Sequence, residues 1–164
     1  MVMSYELQDS SQTLAEAIAE YHAANPGLAN VRDMSPEAQS FFRNHDTAHV
    51  VFGCSTALDH EAIVKISSIL GTTAGWSVLS GYRLHESIEI YKQLRLREIL
   101  KSVAHSVVLV PRTALRCLRQ RERWPWTEFE AFLGVPLRDI RRQFGIMVAN
   151  SGARANEPRW KGTS

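Results

Sequence analysis

Five consecutive residues, His-Asp-Thr-Ala-His at positions 45–49, combine the side-chain types that bind transition metals in proteins. If this stretch is helical, His45 and His49 project from the same face, because they are four residues apart. Metallopeptidases bring two imidazoles to one metal ion with this spacing on a helix. Asp46 lies three residues before His49, so its carboxylate can face the same side.

A second carboxylate, Glu61, lies near the start of the next predicted helix. The turn that begins at Gly53 is expected to fold that helix back against the first. Two imidazoles with one or two carboxylates suit zinc, iron(II), cobalt or manganese, whereas calcium prefers oxygen ligands alone. We therefore expect one divalent metal, with zinc as the first choice. The expected ligands, which are also the expected catalytic residues, are His45, Asp46, His49 and Glu61.

Two other interpretations of the motif stay open. Histidines that only form hydrogen bonds inside a core would produce the same residue pattern. The phosphohydrolases that also contain an adjacent His-Asp pair use further ligands from other helices. His22, His85 and His105 are available for that role, although no second motif accompanies them.

Helix start and stop signals place the motif on a helix. Ser35-Pro36-Glu37 predicts a helix start, with a capping hydroxyl, a proline in the first turn and a carboxylate near the positive end of the helix dipole. This helix is expected to run to Phe52 and to stop at Gly53. A further helix is expected from about Asp59 to Leu70.

The remaining segments are also predicted to be mainly helical. Ser10 or Ser11 is the expected cap of a first helix, which Asn25-Pro26-Gly27 ends. Helices are also expected over 76–109 and 136–144. Residues 107–110 favour a strand by composition, but helix is preferred because no partner strand is evident.

These elements predict an all-α fold, a single-domain bundle of about six or seven helices. The length of 164 residues suits one domain, and 45% hydrophobic residues suit a core of ordinary size. We expect residues 1–149 to form the helical metal-binding domain. Residues 150–164, which are polar and contain Gly, Pro and Arg, are expected to be a flexible tail.

Charge and composition exclude some classes of protein. A net charge of +2, from 19 basic and 17 acidic residues, argues against a nucleic-acid partner. The N-terminal residues do not look like a secretory signal, and no apolar run is long enough for a membrane span. Cys54 and Cys117 form no C-x-x-C pair and are expected to be reduced. A cytoplasmic protein is expected, with peripheral attachment to the inner membrane as an option.

Two sets of side chains bear on lipid partners. A basic stripe at helical spacing would suit anionic lipid or phosphate, although a solvated face is the simpler account; it comprises Arg112, Arg116, Arg119 and Arg123. Trp124 and Trp126 beside it suit either an interfacial anchor or a packed corner. Apolar residues flanking the motif would line a groove or, more simply, form core; they are Phe41, Val50, Ile63, Ile66 and Leu70.

Residues 42–61, FRNHDTAHVVFGCSTALDHE, resemble the coenzyme Q biosynthesis protein 4 family, in which H-D-x-x-H is followed at fixed spacing by Glu. All four motif positions match, and Arg43 and Val51-Phe52-Gly53 look like family context. A weaker likeness lies at Trp124-Pro125-Trp126 and over 136–146. The resemblance extends over about residues 12–147, but only the motif is specific.

The sequence also departs from the family pattern. His60 stands where the family usually has glycine, and we expect the longer N-terminal region of the family to be absent. The chain therefore resembles a divergent, bacterial-type member. His60 is either an extra ligand or, more simply, an exposed neighbour of Glu61.

The resemblance implies a role in ubiquinone biosynthesis at a membrane surface, together with other enzymes of the pathway. It implies a prenylated benzoquinone precursor as substrate, with removal of the C1 carboxyl and hydroxylation at that carbon. On this interpretation Asp46 or Glu61 is either a ligand or a proton acceptor. The alternative from another class of protein is a non-catalytic scaffold that binds prenyl lipids, in which the metal only stabilises the fold. The sequence leaves open the metal, the quinone and the choice between monomer and homodimer.

Overall fold

The computed structural model describes residues 2–26, 35–83 and 108–149. Within these ranges the chain forms six α-helices and no β-strand, which confirms the predicted all-α, single-domain bundle. None of these helices is both long and apolar enough to cross a membrane. The helices are α1 (Leu14–Ala24), α2 (Pro36–Phe52), α3 (Leu58–Leu70), α4 (Val78–Arg83), α5 (108–118) and α6 (Leu137–Phe144).

The helix that carries the motif, α2, begins and ends where the sequence predicts. The Ser35 hydroxyl accepts the Ala38 N–H, and Pro36 occupies the first turn. Gly53 ends the helix in the left-handed region at φ 65°. A Cβ at Gly53 would also lie 2.8 Å from the Val148 side chain, so the backbone conformation and the close packing both require glycine.

The N-terminus of α1 differs from the prediction. The cap is Thr13 and not Ser10 or Ser11, because Thr13 and Glu16 form a reciprocal capping box. The Glu16 N–H donates to the Thr13 hydroxyl, and the Thr13 N–H donates to the Glu16 carboxylate. The third predicted helix is confirmed, and as α3 it begins at Leu58 and ends at Leu70.

Short 3-10 turns and two isolated bridges connect the helices. The turns cover Ser4–Glu6, Gly75–Ser77 and Phe129–Phe132, and the bridges pair Thr13 with Pro136 and Thr72 with Trp124.

The second half of the described chain also matches the predicted elements in part. Residues 108–110 are helical, so the preference for helix over strand is confirmed there. Of the long helix predicted over 76–109, residues 84–107 lie outside the described part of the chain, as does the predicted tail. Pro136 precedes α6, and Gly145 ends it at φ 70°, as predicted.

Burial bears on the tryptophan corner and on the two cysteines. Trp124 and Trp126 are both buried, which matches the packed corner, and Trp124 lies against Phe132 and Phe144. Cys54 and Cys117 are free, buried thiols, as expected. Burial raises the pKa of both thiols, so both stay neutral.

A buried guanidinium joins three parts of the fold. Arg141 of α6 is 1% exposed and donates from Nε to the Val51 carbonyl at 2.9 Å and from Nη2 to the Val50 carbonyl at 2.8 Å. It also donates to the carbonyls of Tyr5 and Leu7 in the N-terminal segment. Val50 and Val51 lie in the last turn of α2, where carbonyls lack partners within the helix. Burial lowers the pKa of Arg141 to about 10, so the group stays charged at neutral pH.

We expect Arg141→Ala to lower the free energy of unfolding by about 3–5 kcal/mol, because it leaves several buried carbonyl oxygens without a donor. Urea denaturation followed by circular dichroism measures the change. The matched control is Arg142→Ala, since Arg142 is exposed. Within the described residues, its one ion pair is with Asp139 at 3.5 Å. The control should change stability by about 0.5 kcal/mol or less. Equal losses in the two variants would show that the Arg141 hydrogen bonds are not important.

Candidate metal centre

Three of the four predicted ligands come together where α2 and α3 pack. His45 and His49 lie on α2, and Glu61 lies in the first turn of α3. Their potential ligand atoms all lie within 4.8 Å of one another. The two imidazole rings are 4.7 Å apart between centroids. A single cation could therefore contact all three side chains.

The hydrogen bonding of His49 determines which nitrogen faces Glu61. Nδ1 lies 3.3 Å from the Cys54 carbonyl oxygen, which can only accept, so Nδ1 carries the proton. The neutral ring then has its lone pair on Nε2, which lies 3.2 Å from Glu61 Oε1. Two acceptors at this distance need a cation or a second imidazole proton between them.

The geometry around Nε2 favours the cation over the proton. Nε2 of His49 is buried, and no described residue offers it a hydrogen bond of acceptable angle, although Glu61 is close. Metal-bound histidines commonly donate their other N–H to a carbonyl, as His49 does to Cys54. The residues present therefore fit a divalent metal.

Electrostatics keep Glu61 in the form that a metal requires. Burial raises the pKa of Glu61, but in metal-free protein the close contact with His49 and the positive charges that His49, His45 and Lys65 carry when protonated outweigh it. The pKa of Glu61 consequently lies below its ordinary value, and the carboxylate is ionised at neutral pH. Its side chain is 29% exposed, whereas that of His49 is fully buried, so the group opens to solvent on the Glu61 side.

Asp46, the fourth predicted ligand, is not part of the three-residue group. Its Oδ2 accepts a hydrogen bond from His22 Nε2 at 3.0 Å, and its Oδ1 lies 3.9 Å from His45 Nδ1. The Asp46 side chain is only 9% exposed. As placed, Asp46 is a buried neighbour of the group that contacts α1, and its direct ligation of metal stays a prediction.

Aromatic side chains surround the histidines, and sequence reasoning did not connect them to the site. Tyr21 of α1 stacks on His49 with ring centroids 5.3 Å apart and an angle of 28° between planes. Phe41, one helical turn before His45, stacks on its ring at 6.0 Å and 21°. From the sequence, Phe41 was identified only as core or groove, and Tyr21 was not singled out. The available signal for Phe41 was its i, i+4 spacing from His45.

His60 has a role that neither sequence alternative describes. It is half-buried, and its Nδ1 accepts hydrogen bonds from the Ser55 backbone N–H at 2.8 Å and from the Ser55 hydroxyl at 2.9 Å. Within the described residues it is not grouped with the three candidate ligands. His60 therefore holds the turn between α2 and α3, which places Glu61.

The apolar residues near the motif divide between core and partly exposed positions. Val50 and Ile63 are buried, whereas Phe41, Ile66 and Leu70 are half-buried. A cavity lined by Phe52, Ile63, Ser67, Thr113, Arg116 and Cys117, among others, has a volume of about 10 Å³. That is the space of about one water molecule, so this cavity does not hold a prenyl chain.

The predicted basic stripe does not form as a single face. Helix α5 ends at residue 118, so Arg123 lies beyond it. Arg116 is half-buried and donates to the Ala149 carbonyl at 2.9 Å. Arg112 and Arg119 are exposed. The outer face of α5 instead exposes Val108, Leu115 and Leu118 beside these two arginines.

Compared with protein-family models, with curated proteins and with solved structures, the chain matches none of them. Functional conclusions therefore depend on the residues and geometry of the chain itself.

In metal-free protein, we expect Glu61→Gln to make the stability less sensitive to acid. The folded pKa of Glu61 lies below its unfolded value, so the ionised carboxylate contributes stability above the unfolded pKa. That contribution is lost as the pH falls through the folded pKa. Urea denaturation in chelator, at neutral pH and at about pH 4, should show a larger loss for wild type than for Glu61→Gln.

The control for this measurement is Glu130→Gln, since Glu130 is exposed and distant from the histidines in sequence. It should keep the pH dependence of the wild type. Parallel profiles for wild type and Glu61→Gln would contradict the assigned contact between Glu61 and the histidines.

Proposed function

We propose that this chain binds one divalent metal, with zinc as the first choice, and uses it to act on a prenylated hydroxybenzoate ring in ubiquinone biosynthesis. The observation that carries the metal proposal is the buried His49 Nε2 facing Glu61 Oε1 at 3.2 Å, with His45 in the same group. Iron, cobalt and manganese suit the same ligands. The resemblance of residues 42–61 to the coenzyme Q biosynthesis protein 4 family supports the substrate class.

The ligand set supports a catalytic centre over a structural one. Structural zinc sites are usually closed by four protein ligands, whereas catalytic sites use three and leave a position for water or substrate. Among residues 2–26, 35–83 and 108–149, three side chains are grouped, and Glu61 is accessible to solvent. A carboxylate or phenolate oxygen of the substrate would take the remaining position.

The proposed reaction replaces the C1 carboxyl of the ring by hydroxyl and releases carbon dioxide. Dioxygen supplies the hydroxyl oxygen, and a two-electron donor with two protons reduces the other oxygen atom to water. A bound metal supplies Lewis-acid polarisation of the substrate oxygen. His45 and His49 would hold the ion, and the ionised Glu61 would hold it or accept a proton. Asp46 is the other candidate proton acceptor, because it is buried beside His45.

The test of the metal centre is the metal content of purified protein, measured by plasma mass spectrometry. We expect about one equivalent in wild type and a large loss in His49→Ala and in Glu61→Gln. The matched control is Glu130→Gln, which makes the same change at an exposed glutamate outside the grouped ligands. Circular dichroism identifies any variant that fails to fold. No metal in wild type, even after addition of zinc, iron or manganese, would overturn the proposal.

Turnover distinguishes the enzyme from the scaffold. The loaded protein is incubated with a prenylated 4-hydroxybenzoate, a reductant and ¹⁸O-labelled dioxygen, and the product is analysed by mass spectrometry. We expect one labelled hydroxyl in the product and no product from folded Glu61→Gln, while chelation should leave the fold largely intact. Unfolding on chelation, without any product from loaded protein, would instead favour the scaffold.

An anionic membrane surface is the proposed location of this activity. Val108 is 66% exposed, Leu115 47% and Leu118 75%. They share the outer face of α5 with Arg112, and exposed Arg119 follows directly after the helix. The sequence from 108 to 121 contains no acidic residue. Apolar side chains with adjacent arginines suit the interface of a bilayer with negatively charged headgroups.

Vesicle sedimentation tests this surface. We expect wild type to bind vesicles rich in phosphatidylglycerol more strongly than vesicles of phosphatidylcholine alone. Leu115→Ser/Leu118→Ser should weaken binding to both, and Arg112→Gln/Arg119→Gln should remove the preference for anionic lipid at about 1 kcal/mol per arginine. Arg142→Gln, on exposed α6 surface, is the control. Equal sedimentation of all variants would exclude α5 as the contact.

A further inference from the structure

A hydrogen bond between two helices determines where the Asp46 carboxylate points. His22, in the last turn of α1, donates from Nε2 to Asp46 Oδ2 at 3.0 Å. The His22 side chain is 46% exposed, whereas that of Asp46 is 9% exposed. Asp46 is thus a buried carboxyl group whose hydrogen bond comes from a residue at the protein surface.

The end of α1 that carries His22 is held in place on several sides. Tyr21 stacks on His49, and Asn25 donates to the Tyr21 carbonyl at 2.8 Å. Asn25 also accepts from the Thr56 hydroxyl at 3.0 Å, in the turn between α2 and α3. His22 therefore has a defined position relative to the two helices that supply His45, His49 and Glu61.

We propose that His22 is a positioning residue that keeps Asp46 out of the ligand set. With its hydrogen bond to His22, the Asp46 carboxylate is directed toward α1. In the described part of the chain, the three grouped ligands would then leave coordination positions open on a metal ion. Without His22, a buried carboxylate that lacks a partner is unfavourable, and a nearby metal ion is the strongest available partner. Rotation of Asp46 toward the histidines would then close a position that substrate needs.

This inference rests on the proposed metal centre, and cobalt(II) tests both. Cobalt replaces zinc in His and carboxylate sites, and its visible absorption changes with the number and geometry of the ligands. Azide, a small anion that binds at open coordination positions, reports whether such a position is available. Cobalt uptake, the cobalt spectrum and the azide titration are independent of catalytic activity.

For wild-type protein we expect cobalt binding and a spectral change on adding azide. For His22→Ala we expect cobalt to be retained, the spectrum to change, and azide to bind about tenfold more weakly or not at all, on the scale of other residues that orient metal ligands. His22→Gln should restore the wild-type response, because a glutamine amide can donate to Asp46 from a similar position. Glu130→Gln is the control, since Glu130 is exposed and lies outside the group.

The outcomes test the role of His22 separately from the proposed metal centre. If His22→Ala has the spectrum and azide affinity of wild type, His22 does not position Asp46, and the metal centre stands. If His22→Ala folds but loses cobalt, the contact holds the metal site together and does not restrain Asp46, which also overturns the inference. If wild type takes up no cobalt or zinc, the metal proposal itself fails.

Discussion

The fold depends on the hydrogen bonds of one buried arginine. Arg141 satisfies carbonyls at the end of α2 and in the N-terminal segment, so a residue of the last described helix fixes the start of the chain and the helix that carries the motif. Without a donor, these carbonyls would be buried at a substantial cost in free energy. His49 lies one residue before the first of the α2 carbonyls, and the placement of its ring is therefore tied to this contact.

The same helix serves as core and as chemical site. Residues 44–54 of α2 and its cap are all buried, although they include His45, Asp46 and His49. A fully buried imidazole requires a partner at each nitrogen, and the turn after α2 provides one through the Cys54 carbonyl. A hydrogen bond from Ser55 to His60 stabilises this turn. The backbone conformation that ends α2 therefore also determines which nitrogen of His49 faces Glu61.

The sequence was sufficient for features that depend on nearby residues. The bounds of α2, the stop at Gly145 and the grouping of His45, His49 and Glu61 all follow from spacing, capping residues and one short turn. Contacts between distant segments could not be predicted in this way. Arg141 was one arginine among many, and the pairing of His22 with Asp46 depends on how α1 packs on α2. Arg116 has the helical spacing of the predicted basic stripe, but it donates to the Ala149 carbonyl. That contact depends on the tertiary structure and could not be predicted from spacing.

The three candidate ligands are close together in the chain, whereas the residues that support them are far away. His45, His49 and Glu61 all lie within positions 45 to 61, but Arg141 lies on α6. During synthesis the segment that contains α2 and α3 leaves the ribosome before α6 has been made, and contacts between near neighbours also form fastest in a refolding chain. An ion can therefore join the two helices before the rest of the bundle has formed. Metal supply would then influence the order of folding as well as the stability of the finished protein.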